Sequence, residues 1–133
     1  MSVSDRMSPQ QFQESEGVED WRVLSDGACA YYPTSFTAGA RLVQAISALP
    51  GVEDHRPDVD VRRDGVTVRL LTSSDDYWGM TRRDVDMAHQ ISTAARALGL
   101  SANPSAVQSL LIICGKPTSS MPSGPRRCTA SRL

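Results

Sequence analysis

Histidine is the side chain whose charge changes near neutral pH, and this 133-residue chain has two, His55 and His89. His55 lies in Glu53-Asp54-His55-Arg56-Pro57-Asp58-Val59-Asp60-Val61, where an imidazole among carboxylates suits proton transfer to or from a small molecule. Taken alone, it is equally a solvated loop histidine. The same stretch runs on to Gly79-Met80-Thr81-Arg82-Arg83-Asp84. Asp84 has a complete structural explanation as the third residue of a capping box opened by Thr81, and a functional role is compatible with that one. His89, five residues later on a different helix face, reads as surface. Tyr77 and Trp78 suit either stacking on a flat ligand or covering the core. Arg82 and Arg83 occupy a first helical turn, where the dipole disfavours cations, so they are a solvated pair or a carboxylate-binding one. A metal site is not expected. Asp58 and Asp60 share one strand face while His55 precedes it, and Cys29, Cys114 and Cys128 include no Cys-x-x-Cys pair and suggest no disulfide framework.

These residues need elements to hold them. Ser8-Pro9 before Gln10-Gln11-Phe12-Gln13-Glu14 predicts a capped short helix, anchored by Phe12 and stopped by Gly17. Trp21-Arg22-Val23-Leu24 and Ala28-Cys29-Ala30-Tyr31-Tyr32 predict a hairpin across Ser25-Asp26-Gly27. Ser35 caps a longer helix in which Phe36, Gly39, Leu42, Val43, Ile46 and Leu49 recur at helical spacing before Pro50-Gly51. Val59 and Val61, then Val66, Val68 and Leu70, alternate with polar residues around a turn placed at Asp64-Gly65. A loop from Ser73 to Met80 leads to a last helix begun by Thr81, with Val85, Ala88, Ile91, Ala95 and Leu98 as its buried stripe and Gly99 as its stop. The order helix-strand-strand-helix-strand-strand-helix implies an α+β fold: a four-stranded antiparallel sheet with helices packed on one face, formed by residues 1–99. The other face is open to solvent or to a second subunit. Residues 100–115 read as a linker, Leu100-Ser101-Ala102-Asn103-Pro104, and an apolar strand-type run from Val107 to Ile113. Residues 116–133, rich in Pro, Ser, Gly and Arg, read as a disordered tail.

The composition narrows the partners. With 22% charged residues and a net charge of −1, there is no basic surface to draw nucleic acid or an anionic membrane. No apolar run approaches the roughly 18 to 20 residues of a membrane span, and Met1-Ser2-Val3-Ser4-Asp5-Arg6 lacks the apolar core of a signal peptide, so a cytoplasmic location is expected.

From about Trp21 to Leu98 the chain resembles the pterin-4a-carbinolamine dehydratases. That family carries a His-His-Pro segment, a strand hairpin, a Thr-His-Asp or Thr-His-Glu step, and a later Asp at a helix start. His55 matches the first histidine, Pro57 the proline and Asp84 the aspartate. Arg56 stands at the second histidine, and Ser73, in Thr72-Ser73-Ser74-Asp75, at the histidine after the strand. The loop from Ser73 to Met80 is longer than the family's and holds Tyr77 and Trp78. Gly99 to Gln108 is similar to the join in two-domain relatives that continue into a glyoxalase-like domain, here cut after its first strand.

The resemblance implies a pterin substrate, no cofactor or metal, and a homo-oligomer. The reaction it implies is loss of water from 4a-hydroxytetrahydropterin to give the quinonoid dihydropterin. By the same carry-over His55 is the principal acid/base, Asp84 supports it, and Arg56, Pro57, Ser73 and Trp78 meet the substrate. Arginine does not exchange a proton at physiological pH and serine is a poor acid, so a slow dehydratase is expected. The alternative is a non-catalytic pterin-binding or dimerisation module that keeps the fold.

Overall fold

Two-residue alternation of apolar side chains builds the central sheet. In the computed structural model, which describes residues 5–25 and 27–107, β1 (Arg6–Met7) and α1 (Pro9–Gln13) lead into β2 (Arg22–Leu24) and β3 (Gly27–Pro33). Then come α2 (Phe36–Ser47), β4 (Asp58–Arg62), β5 (Gly65–Leu70), β6 (Thr72–Ser74), β7 (Tyr77–Thr81) and α3 (Arg82–Ala97). The expected four-stranded antiparallel sheet is present, in the order β2-β3-β5-β4. Ala28, Ala30 and Tyr32 of β3 and Val66, Val68 and Leu70 of β5 are fully buried, and Leu42 and Ile46 of α2 and Ala88, Ile91 and Ala95 of α3 join them in one core. Each such large side chain removed from water stabilises the fold by roughly 1.5 to 3 kcal/mol before entropy is counted.

The helix ends follow their sequence signals. Ser8 and Gln11 form a reciprocal capping box on α1, and the Ser35 hydroxyl accepts the Ala38 N–H at the start of α2. Gly99, at φ 78°, ends α3: its N–H donates to Arg96 O and that of Leu100 to Ala95 O, a Schellman reversal that turns Leu100 onto the core. This explains one departure from the expected stripe. Leu98 is 41% exposed because the reversal delivers Leu100 in its place. Phe36, expected on the buried face of α2, is 60% exposed. It precedes by about one turn Gly39, where helix and sheet come close enough that an added Cβ would lie 2.7 Å from Val66 Cγ2.

The β4–β5 turn differs in detail from expectation. Arg62 pairs with Gly65, so Arg63 and Asp64 make the turn and Gly65 already belongs to β5. Its glycine leaves room for a neighbour instead: a Cβ there would meet the Tyr31 hydroxyl at 2.5 Å, so the ring, whose hydroxyl donates to Asp64 O, would have to shift.

The segment 73–80, expected as a loop, is a hairpin. β6 and β7 pair in register from Thr72↔Gly79 to Ser74↔Tyr77, and β1 adds to the other side of β7, giving a second sheet of order β1-β7-β6. The run lacks the apolar alternation that marks a half-buried strand, and its pairing is supported by side chains. The Tyr77 hydroxyl donates to Met80 O at 2.7 Å, and the Arg6 guanidinium lies 4.5 Å over the Tyr77 ring.

Residues 104–107 are helical and Val107 is buried, where a strand was expected to begin. Asn103 N–H donates to Tyr31 O, and Leu100 and Ala102 pack on the core, so this stretch docks where free linker was expected. The run Leu110 to Cys114 and the tail from Lys116 lie outside the described residues. The outer edge of β2 is occupied by a side chain: Gln13 donates to Trp21 O at 2.8 Å and accepts Val23 N–H at 3.2 Å.

Candidate active site

Asp84 is the centre from which the site is built. As the third residue of α3 it reaches back to the helix start, where its Oδ2 accepts the Thr81 N–H at 2.8 Å. The carboxylate is fully buried. A buried carboxylate must have its lone pairs met, and here they are. Oδ2 also accepts the Thr72 hydroxyl at 2.8 Å and has the Thr81 hydroxyl at 3.3 Å, while Thr72 and Thr81 Oγ1 are 2.9 Å apart. Oδ1 faces His55 Nε2 at 2.5 Å.

His55 is brought to Asp84 by the loop after α2. Val52 is buried and anchors that loop, Gly51 supplies its positive φ, and the His55 N–H donates to Gly51 O and Val52 O. Arg83 closes the loop onto α3 by donating to Asp54 O at 2.9 Å. The imidazole is 11% exposed. Since a carboxylate oxygen can only accept, the contact places a proton on Nε2 and leaves Nδ1 as the nitrogen able to exchange a proton with a ligand. The ring borders an open cleft of about 270 Å³ whose other walls include Asp54, Arg83, Asp86 and Gln90, with Met87 at its apolar side. The arrangement can take up a proton, hold it against a fixed counter-charge and return it.

Of the residues singled out in the sequence, the structure joins His55 and Asp84 directly. Pro57 is half-buried after the loop. Arg56 points away: its side chain is 76% exposed and its Nε lies 3.1 Å from Glu53 Oε1. Ser73 and Trp78 are cross-strand partners on the exposed face of the β6–β7 hairpin, with Trp78 57% exposed. Because side chains alternate along a strand, that face is opposite to the one from which Thr72 reaches Asp84. Tyr77 is used in the hairpin itself. His89 is exposed, with its Nε2 against the Glu16 carbonyl oxygen.

The residue missed is Thr72. Its signal was present: it continues by the same two-residue step the buried series Val66, Val68, Leu70, so a hydroxyl in phase with a core face had to find a buried partner. Among the described residues no group of three His, Cys, Asp or Glu side chains is placed to hold a metal ion, and no helix is long and apolar enough to cross a membrane.

Comparison with known proteins gives the family. Two similar proteins bear the provisional name pterin-4-alpha-carbinolamine dehydratase. The one from Nocardia farcinica is 40% identical over 62 residues, covering 47% of this chain and 63% of that protein, just under two thirds of it. The one from Mycobacterium leprae is 34% identical over 76 residues, covering 56% of this chain and 78% of that protein. The profile of the family described as pterin 4 alpha carbinolamine dehydratase matches residues 5–94, from β1 into α3, and so takes in both His55 and Asp84. The chain belongs to the pterin 4 alpha carbinolamine dehydratase family.

Proposed function

We propose that the protein removes water from 4a-hydroxytetrahydropterin to give the quinonoid dihydropterin. The observation that carries this is the 2.5 Å contact of His55 Nε2 with a fully buried carboxylate, inside the family match and at the rim of an open cleft. The reaction breaks the C4a–O and N5–H bonds and forms C4a=N5. His55 Nδ1 takes the N5 proton and returns it to the departing hydroxide, so the protein ends as it began. Asp84 holds the tautomer that leaves Nδ1 available and balances the imidazolium while it exists. Pro57 sets the chain direction after the loop, and the Arg56 guanidinium, turned from Glu53, steadies the developing hydroxide or the polar edge of the pterin. Ser73 and Trp78 lie on the hairpin face opposite to the Asp84 contact and take no part beside His55 in this reading. The protein works as a homo-oligomer in the cytoplasm, without cofactor or metal, and more slowly than relatives with histidine at both altered positions.

A second reading is favoured by one observation. Arg56, at the family's second histidine position, is paired with Glu53 and exposed, which suits a pterin-binding or dimerisation module that has kept the fold without the chemistry.

The decay of freshly generated 4a-hydroxytetrahydropterin, followed by absorbance, separates the two. The parent protein should accelerate it, and His55→Ala should lose about 10²- to 10⁴-fold of that acceleration. Pterin binding by a folded parent without acceleration selects the second reading. Restoring histidine by Arg56→His with Ser73→His should raise the rate above the parent's; an unchanged rate would show that these positions do not limit turnover.

A further inference from the structure

We propose that Thr72 is a positioning residue for His55, acting through Asp84: its hydroxyl fixes the carboxylate in the orientation that aims Oδ1 at His55 Nε2. The inference rests on the reading of His55 as the acid/base.

Counting protons gives the direction of the network. Thr72 and Thr81 have one hydroxyl proton each. Thr72 Oγ1 lies 2.8 Å from Asp84 Oδ2 and 2.9 Å from Thr81 Oγ1, whereas Thr81 Oγ1 is 3.3 Å from Oδ2. The carboxylate accepts and does not donate, so the Thr72 proton goes to Asp84. The Thr81 proton then goes to its nearer acceptor, Thr72 Oγ1. The result is a one-way chain, Thr81 to Thr72 to Asp84, in which each donor polarises the next. All three residues are buried, so no bulk water stands by to replace a missing donor.

Two donors hold Oδ2, and they come from different elements. The Thr81 N–H belongs to the helix start and is independent of side-chain identity. Thr72 comes from β6, fixed by its pairing with Gly79. With the backbone donor alone, the carboxylate can turn about its last torsion, whose energy profile is broad. The second donor sets the plane, and setting the plane places Oδ1 against Nε2.

The test uses 15N-labelled protein without substrate, with the His55 ring nitrogens read by NMR, alongside steady-state kinetics. Parent and Thr72→Ser should show the single tautomer protonated at Nε2. Thr72→Val, of nearly equal volume, should show a mixture of tautomers, a kcat lower by roughly 10- to 100-fold and little change in KM. Thr81→Val, which removes the first donor of the chain but leaves the bond from Thr72 to Asp84, should show a smaller change of the same kind than Thr72→Val. A Thr72→Val protein that melts cooperatively and keeps the parent's ring-nitrogen shifts overturns the proposal, as does a Thr72→Ser protein that behaves like Thr72→Val. Should Thr72→Val fail to fold, Thr72→Cys, similar in volume and a weak donor, carries the same expectation and the same refutation. If the parent does not act on the pterin, the functional reading fails, while the ring nitrogens still decide whether Thr72 positions His55.

Discussion

The two sheets use one rule for different ends. In the four-stranded sheet, the inward positions of β5 are Val66, Val68 and Leu70, and they meet Leu42, Ile46 and Ile91 in a dry core. In the three-stranded sheet the next inward position is Thr72, and with Thr81 it meets a carboxylate. Leu71 alone separates the two regimes. Apolar burial is non-directional, so the first sheet needs side chains of suitable volume. A buried anion needs donors at set angles, so the second sheet needs particular atoms. Apolar burial and the proposed chemistry thus divide at one residue of a nearly continuous strand.

Asp84→Asn tests this division most severely. An amide that keeps its oxygen toward Thr72 and the Thr81 N–H turns its NH₂ toward His55 Nε2, which must then become the acceptor, with the proton moved to Nδ1. Turnover should fall by about 10²- to 10⁴-fold with a comparatively small change in melting temperature. Equal turnover in this variant would break the comparison. Leu70→Ala is the converse. It should cost roughly 2 to 5 kcal/mol by chemical denaturation while the folded fraction keeps its kcat. A loss of kcat in fully folded protein would show that the two sheets are not separable.

Tyr32 sharpens the comparison from the apolar side. Its hydroxyl is buried near Ser92, whose own hydroxyl accepts Trp21 Nε1–H at 3.0 Å, and has no well-formed hydrogen bond among the described residues. Burial pushes its pKa up to about 12, so the neutral form is the one that fits the fold. The unfolded chain ionises near 10 and the folded one does not, so this contribution is complete below pH 10 and is lost as the pH climbs toward 12. The loss amounts to on the order of 2 to 3 kcal/mol. Tyr32→Phe should be near neutral in stability at pH 7 and should flatten that alkaline decline in a melting-temperature series. An undiminished decline would place its cause elsewhere.

Periodicity made the first sheet readable. Val59, Val61, Val66, Val68 and Leu70 alternate plainly, Ser35 and Gly99 bound their helices, and His55 and Asp84 carried a resemblance with motif-level detail. The second sheet was hidden because Thr72 to Thr81 lacks apolar alternation, and its pairing depends on contacts distant in sequence, such as Met7 with Met80. The exposure of Phe36 and Leu98 was equally out of reach, since helical spacing says which side a residue lies on but not where along the helix the contact begins and ends. Arg56 and Ser73 were placed by alignment of residue types, which says nothing of the direction in which a side chain leaves the strand or loop.

The Gln13 amide on the outside of β2 has one more consequence. It occupies backbone groups that a neighbouring strand would use, and Asn103 takes the Tyr31 carbonyl just past the end of β2. On that side these groups are already engaged, while β4, with Asp58 and Asp60 exposed, is the opposite edge of the sheet among the described residues. A ribbon with one occupied border is joined more easily along the other. Two copies meeting along β4 would leave this sheet only its Gln13-occupied borders, which resist the addition of further strands.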